Sequence, residues 1–339
     1  VMSVSLPMTT YAANWYLEDG SVTVNADNSG QTVTQGSGSA VPDEAPVITQ
    51  RESSVETGNT ITINAAENAT ANVTISDVNI NTSDAAVSTS GKGNVNIELD
   101  GTNTLKSGVN HAGLEKNSDG NQGKLTITDE NENGKLIATG GNGAAGIGGG
   151  LYAGGNDITI IGGEITATGG ECGAGIGGGF YTGGNDITIA GGKVTATGGD
   201  YGAGIGGGNQ GNGSNITITD GEVAATGGTN GAGIGGGLRK NGEKITVSGD
   251  ATLKVQGGPT DTWDGAGAGI GNGGSHNGEF SGSFIPVNGA ETEPDTSNLT
   301  TGKIEYYAPG ADMTKDEPTS TILGCGQPTS PGETAAPVE

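Results

Sequence analysis

The sequence predicts an all-β protein, a parallel β-helix in which each coil of about 29 residues contributes three short strands. A glycine-rich heptad, in most copies GAGIGGG, occurs five times with an isoleucine at its fourth position. The heptads span residues 144–150, 173–179, 202–208, 231–237 and 267–273. The first four heptads follow one another at intervals of 29 residues. Repeats of this length indicate a solenoid, whose coils bury their apolar faces only against neighbouring coils.

Each period contains three short apolar segments separated by Gly, Asn and Asp. In one period these segments are marked by Ile176, then by Ile187 and Ile189, and then by Val194. Short β-branched segments between turn residues are typical of strands. A helix is disfavoured because the apolar residues lack a 3.6-residue period and because the frequent glycines destabilise helices. Three strands per coil, stacked about 4.8 Å apart on their equivalents, describe a solenoid of triangular section.

The repeat continues upstream in a less regular form. Val87 and Leu114 extend the column of heptad isoleucines towards the N-terminus. Pairs of apolar residues extend the second column at Val73 and Ile75, Val95 and Ile97, and Leu125 and Ile127. We therefore expect roughly seven or eight coils between residues 60 and 285, which form a rod about 35–40 Å long.

The remaining segments are interpreted as follows. Residues 1–13 resemble the end of a secretory signal peptide, with an apolar stretch followed by Ala12 and Ala13. Residues 14–60 are expected to form an N-terminal cap, and residues 61–285 the β-helix itself. Residues 286–339 are rich in Pro, Thr and Glu, which predicts a partly disordered linker to a further domain.

The bulky residues Phe280, Phe284 and Ile285 stand where the apolar columns stop. We expect them to close the C-terminal end of the solenoid, because an open end would expose its core. A short strand is also possible at Lys303–Tyr307, within the predicted linker.

The composition limits the classes of partner. The formal net charge of −25 argues against binding to nucleic acid or to anionic membranes. No segment after the N-terminal residues is long and apolar enough to span a membrane. Two cysteines, Cys172 and Cys325, do not make a disulfide framework, and we interpret both as incidental.

The heptads suggest one candidate ligand surface. Strand alternation directs Ala174 and Ile176 inward and Gly175 and Gly177 outward, which predicts a strip of bare backbone open to a ligand. The alternative is that the small residues only relieve crowding at a corner. Tyr152 and Tyr181 follow consecutive heptads, and Tyr201 precedes the next. Beside a flat strip these tyrosines could stack on sugar rings.

Acidic residues also recur in register, Asp157 with Asp186 and Glu171 with Asp200. Stacked carboxylates repel one another unless a cation bridges them, and oxygen ligands suit calcium. The alternative is that these are solvated turn residues.

An enzyme is not expected. Glycoside hydrolysis uses a pair of carboxylates at a defined separation, and no signature for such a pair is recognisable in the sequence. His111 and His276 are isolated in the sequence, and Arg239 is the only arginine of the repeats.

Residues 87–116, VSTSGKGNVNIELDGTNTLKSGVNHAGLEK, are followed by LTITD, LIATGG and the repeated AGIGGG and NDITI units. This pattern resembles a family of secreted clostridial carbohydrate-binding β-helix domains from surface proteins of Gram-positive anaerobes. The resemblance covers roughly residues 14–285 and rests on repeat patterning. The resemblance implies a right-handed parallel β-helix that binds plant polysaccharide, including polygalacturonate with calcium. It does not assign a binding role to any individual residue of this sequence.

The sequence thus predicts a secreted, non-catalytic carbohydrate-binding module at the surface of a Gram-positive bacterium. Its partner would be a plant or host polysaccharide, bound along one face of the β-helix with possible assistance from calcium. The alternative is a structural stalk or adhesin without glycan specificity.

Overall fold

A computed structural model describes residues 13–117, 123–277, 285–325 and, for the backbone, 334–335. In these residues the chain forms a right-handed parallel β-solenoid of about eight coils with about 29 residues per coil. The single helical element of the described residues is a short 3₁₀ turn at Leu17–Asp19. The predicted fold class is therefore confirmed. The signal-peptide interpretation falls on residues 1–13, of which only residue 13 is described.

One face of the solenoid, the heptad face, is a stack of parallel strands that contains the heptad isoleucines. Its parallel strands are Val22–Asp27, Ile61–Ala65, Val87–Ser90, Leu114–Lys116, Ile147–Gly148, Ile176–Gly177, Ile205–Gly206, Ile234–Gly235 and Ile270–Gly271. Each heptad isoleucine pairs with the isoleucine of the next heptad, and all five are fully buried. The predicted register of this column is confirmed.

The second face carries the I-T-I segments and the third face the T-A-T segments. Strands of the second face are Asn14–Tyr16, Val47–Thr49, Thr70–Ser76, Asn94–Asp100, Leu125–Thr128, Ile158–Ile160 and Gly242–Val247. Strands of the third face are Asn79–Asn81, Thr102–Lys106, Lys135–Thr139, Glu164–Thr168, Thr252–Gln256 and Lys303–Tyr307. Two long strands, Gly184–Thr197 and Gly213–Thr226, bend around the corner and belong to both faces.

The core is a continuous column of aliphatic side chains between the three faces. It extends from Leu17 near the N-terminus to Ile304 near the C-terminus. Because inward and outward residues alternate along each strand, a coil of 29 residues needs only a few apolar side chains to fill its share of the interior. This explains how a chain with 31% hydrophobic residues supports so long a core.

The N-terminal end of the heptad face is covered by a hairpin. The strand Val22–Asp27 pairs antiparallel with Gly30–Gln35, which in turn pairs with the short strand Val41–Pro42. On its other side Val22–Asp27 pairs parallel with Ile61–Ala65. Trp15 Nε1 donates a hydrogen bond of 2.8 Å to Asp43 Oδ2.

The C-terminal end differs from the sequence expectation. Lys303–Tyr307, expected within a linker, pairs parallel with Thr252–Gln256, and Ser320–Leu323 adds to it antiparallel. Thr334–Ala335 pairs with Ser320–Leu323 in turn. The open edge of the last coil needs backbone partners, and this segment supplies them while it buries Ile304. The expectation of a linker over this part of the chain was wrong.

The predicted closing residues do not contribute to this end in the described part. Ile285 is 63% exposed, and Phe280 and Phe284 lie outside the described residues. The heptad face instead ends at Glu291, whose carboxylate accepts hydrogen bonds from Gly269 N at 2.7 Å and Ile270 N at 3.0 Å. The side chain thus replaces the carbonyl groups that a further coil would offer.

Candidate functional site

Two loops flank each heptad strand, and both fold over its outer side. Hydrogen bonds join the loop after one heptad to the loop before the preceding heptad: Phe180 N donates to Gly143 O at 2.9 Å, and Asn209 N donates to Cys172 O at 2.8 Å. In the same way, Leu238 N donates to Tyr201 O of the preceding coil at 2.8 Å. The loops before and after the heptads therefore meet and cover the outer side of the heptad strands, whose residues are buried.

The heptad glycines do not form an exposed strip. Gly175 and Gly177 are both buried. A Cβ atom at Gly175 would lie 2.6 Å from Gly204 O, and one at Gly177 would lie 2.0 Å from Gly206 O. The prediction of a bare backbone open to a ligand was wrong, because these glycines let neighbouring coils approach each other.

Tyr152 and Tyr181 are brought together on the surface. Their side chains are 63% and 52% exposed, and their rings are nearly parallel, at an interplanar angle of 16° and a centroid distance of 6.3 Å. The half-buried Phe180 ring contacts this pair, with its centroid 4.0 Å from that of Tyr181 and 5.8 Å from that of Tyr152. The three rings form an aromatic cluster, and Phe180 was not among the predicted site residues.

Tyr201 does not join this cluster. It lies on the loop before a heptad, in the same column as Cys172 and Asn230. Burial and the nearby carboxylate of Asp261 raise the pKa of its hydroxyl. No ring contact with Tyr152 or Tyr181 is present in the described residues.

A polar groove of about 340 Å³ begins beside Tyr181 and crosses three successive coils. We call it the axial groove. Its lining residues include Tyr181, Asn185, Gln210, Asn212, Ser214, Asn241, Lys240 and Glu243. Asn185 Nδ2 donates to Asn156 Oδ1 at 3.1 Å, and Ser214 Oγ donates to Asn185 Oδ1 at 2.7 Å. Only Tyr181 of these residues was predicted. The 29-residue period applied to Tyr181 would have found Gln210.

The predicted calcium ligands are all exposed: Asp157, Glu171 and Asp200 lie in turns or bends, and Asp186 lies near the start of the strand Gly184–Thr197. Asp157 and Asp186 occupy equivalent positions of adjacent coils, and Asn215 Nδ2 donates to Asp186 Oδ1 at 3.1 Å. Glu171 accepts a bond of 2.8 Å from Asn142 Nδ2, and Asp200 is exposed one coil further on. Within the described residues, no three His, Cys, Asp or Glu side chains assemble into a group that could hold a metal ion. Calcium takes six to eight oxygen ligands, so these side chains do not by themselves provide a calcium site.

A second polar cluster is built around Arg239, which immediately precedes the groove residue Lys240 in the chain. Arg239 donates two hydrogen bonds to Asp264, Nε to Oδ1 at 2.8 Å and a terminal nitrogen to Oδ2 at 2.7 Å. His276 Nδ1 lies 2.8 Å from Asp264 Oδ1. The Asp264 side chain is 3% exposed. Burial alone would raise the pKa of Asp264, but the bonds with Arg239 and His276 outweigh it and hold the pKa below its ordinary value.

The comparisons with known proteins agree with this architecture. A family model described as a beta helix repeat matches residues 132–151, 158–180, 187–209 and 216–238, together about a quarter of the chain. The chain is a parallel β-helix repeat protein. No similar curated protein and no similar solved structure was found. The described part of this β-helix protein contains no helix long and apolar enough to cross a membrane.

The matched repeats of this β-helix protein omit the loops that build the site. The intervals between matches are 152–157, 181–186 and 210–215. These intervals contain Tyr152, Tyr181, Gln210 and Asn212, while the matched segments contain the strands and most heptad residues. The matched repeat therefore covers the scaffold strands, whereas the residues that line the axial groove lie outside the matched segments.

Proposed function

We propose that this protein is a secreted, non-catalytic carbohydrate-binding module that holds polysaccharide on the aromatic cluster and the axial groove. The observation that carries the proposal is the exposed, nearly parallel pair Tyr152 and Tyr181, in register on adjacent coils beside a polar groove.

The chemistry of the two parts suits sugars. The C–H faces of a pyranose ring are apolar and pack against an aromatic face, and hydroxyl groups around the ring need donors and acceptors. Tyr152 and Tyr181 offer the rings, and the amides of Asn212 and Asn241 lie exposed in the groove. Exposed aromatic residues that cluster on a surface are typical of interaction sites.

Binding without hydrolysis is favoured by the carboxylate content of the groove. Glu243 is the one carboxylate that lines it within the described residues, whereas glycoside hydrolysis uses two carboxyl groups on opposite sides of the bond. The secreted, surface-displayed location forms part of the same proposal, because extended plant and host polysaccharides lie outside the bacterial cell.

An acidic polysaccharide would bind only with help from a cation. The chain carries a formal net charge of −25, so a polyanion such as polygalacturonate is repelled overall. Calcium could bridge sugar carboxylates to Asp157 and Asp186, with the remaining oxygen ligands supplied by the polysaccharide. We therefore expect retention on polygalacturonate to require millimolar calcium and to disappear with a chelator.

Affinity gel electrophoresis against a panel of neutral and acidic polysaccharides tests the proposal. We expect retention of the parent protein on at least one polysaccharide. The double variant Tyr152→Ala, Tyr181→Ala should bind about tenfold to thirtyfold more weakly, since two stacking contacts contribute about 1 kcal/mol each. Trp263→Ala is the control, because Trp263 is an aromatic side chain of similar exposure, 54%, outside the groove.

Two results would contradict the proposal. If the double variant binds as tightly as the parent, the aromatic cluster is not the site. If the parent is retained on no polysaccharide, with or without calcium, the alternative of a stalk or adhesin without glycan specificity takes its place.

A further inference from the structure

The loops after the heptads repeat one backbone geometry through four coils. Tyr152, Tyr181, Gln210 and Arg239 occupy equivalent positions, with φ angles of 58°, 63°, 57° and 59°. Because the backbone has the same left-handed conformation at each position, the four side chains leave the loop in similar directions. They form four rungs of a ladder along the solenoid axis.

The spacing of the rungs is set by the strands. Beside the four rungs, Ile158–Ile160 pairs with Ile187–Ile189, these residues pair with Ile216–Ile218, and the latter pair with Ile245–Val247, each step at an offset of 29 residues. Neighbouring strands lie about 4.8 Å apart, so the first and fourth rungs are separated by about 14 Å. The length of one sugar residue along an extended polysaccharide is similar to the distance between neighbouring strands.

The chemistry changes along the ladder. The first two rungs are the stacked tyrosines, and the third, Gln210, lines the axial groove with Asn212. The fourth rung, Arg239, immediately precedes the groove residue Lys240 and is held by the buried carboxylate of Asp264. A linear ligand could therefore stack two rings on the tyrosines and place the next rings against amides.

The charges of the groove favour an uncharged ligand. Lys240 and Glu243 line it together, so their formal charges cancel. The positive charge of Arg239 is likewise neutralised by Asp264, at 2.7 Å. No excess positive charge remains among these groups to offset the net charge of −25 of the chain.

We infer that the ligand is a neutral, linear polysaccharide that lies parallel to the solenoid axis, with one sugar residue on each of four successive coils. This inference rests on the proposed function, and it adds the charge, the direction and the length of the bound segment.

Isothermal titration calorimetry with β-1,4-linked gluco-, xylo- and manno-oligosaccharides of two to six sugars tests it. In the series that binds, affinity should rise about fivefold for each sugar from the disaccharide to the tetrasaccharide, if each rung contributes about as much as one stacking contact. Affinity should then stay level to the hexasaccharide. Galacturonate oligomers of the same lengths serve as the charged comparison.

The variant Gln210→Ala locates the third sugar. It should weaken binding of the tetrasaccharide about fivefold and leave binding of the disaccharide unchanged, since the disaccharide occupies only the tyrosine rungs. Asn215→Ala is the matched control. Asn215 lies in the same coil with a φ of 55°, so alanine meets the same backbone conformation there, but Asn215 does not line the groove.

The outcomes separate this inference from the proposed function. A constant affinity from the disaccharide upward, a rise that continues to the hexasaccharide, or tighter binding of galacturonate oligomers than of neutral ones would overturn the inference alone. Equal losses for Gln210→Ala with both lengths would do the same. Failure of every oligosaccharide and polysaccharide to bind would overturn the proposed function as well.

Discussion

Gly206→Ala tests the role that the structure gives to the heptad glycines. Gly206 has a φ of +131°, in a backbone conformation that L-residues rarely adopt. A Cβ atom there would lie 2.1 Å from Gly235 O in the next coil. That carbonyl also accepts a hydrogen bond of 2.9 Å from Gly207 N, so it cannot move away without weakening the ladder.

The magnitude follows from these two contributions. Backbone strain at such a φ costs about 1–3 kcal/mol, and overpacking against a backbone atom about 1–3 kcal/mol more. The free energy of unfolding should fall by about 2–6 kcal/mol, which lowers the melting temperature of a chain of this length by at least about 3 °C. Thermal and urea unfolding followed by circular dichroism would measure the change.

Gly58→Ala is the control for this substitution. Gly58 has no heavy atom within 4 Å of its ideal Cβ position and no left-handed φ. Its replacement should change stability by no more than about 0.5 kcal/mol. If Gly206→Ala unfolded at the same temperature as Gly58→Ala, close packing between coils would not be the reason for glycine at this position.

Three further outcomes are expected. Ile205→Ala should destabilise the solenoid by about 2–5 kcal/mol and Ile205→Val by about 0.5–1.5 kcal/mol, because Ile205 is fully buried; equal chemical-denaturation curves for both would contradict the packing of this column. Asp264→Asn should lower stability at neutral pH. Because the folded pKa of Asp264 is depressed, its contribution is present above the unfolded value near 4 and is lost as the pH falls through the folded value. The parent and variant curves should therefore converge in acid, and a gap that stays constant down to low pH would refute this account. Millimolar calcium without polysaccharide should leave the melting temperature unchanged, and a clear rise in thermal-shift measurements would reveal a preformed site that the described side chains do not provide.

Much of the fold could be predicted because a sequence repeat of constant length constrains the geometry of the coils. When coils of equal length stack in parallel, residues 29 apart must occupy equivalent positions on adjacent strands. The pairing of Ile176 with Ile205, the burial of that column and the approach of Tyr152 to Tyr181 all follow from this rule. The same rule places Gln210 in register with the tyrosines, although the tyrosines alone suggested the site.

The tertiary structure decided which surfaces are open. Strand alternation implies that Gly175 and Gly177 face outward, but it carries no information about what lies above them. The loops that fold over the heptad face bury both glycines, and those loops meet through backbone hydrogen bonds such as Asn209 N to Cys172 O. Backbone hydrogen bonds do not depend on side-chain identity, so they leave no pattern in the sequence.

The sequence by itself thus determined the coil length, the buried columns and the register of the tyrosines, because each depends on a spacing that repeats. Only the tertiary structure decided the features that occur once. Lys303–Tyr307 completes the third face although its residues lie 51 positions after their partners in Thr252–Gln256, far more than the regular period of 29. Asp264 binds an arginine 25 residues earlier in the chain. Such contacts depend on where loops of irregular length pack against the last coil. A periodic sequence pattern does not specify that position.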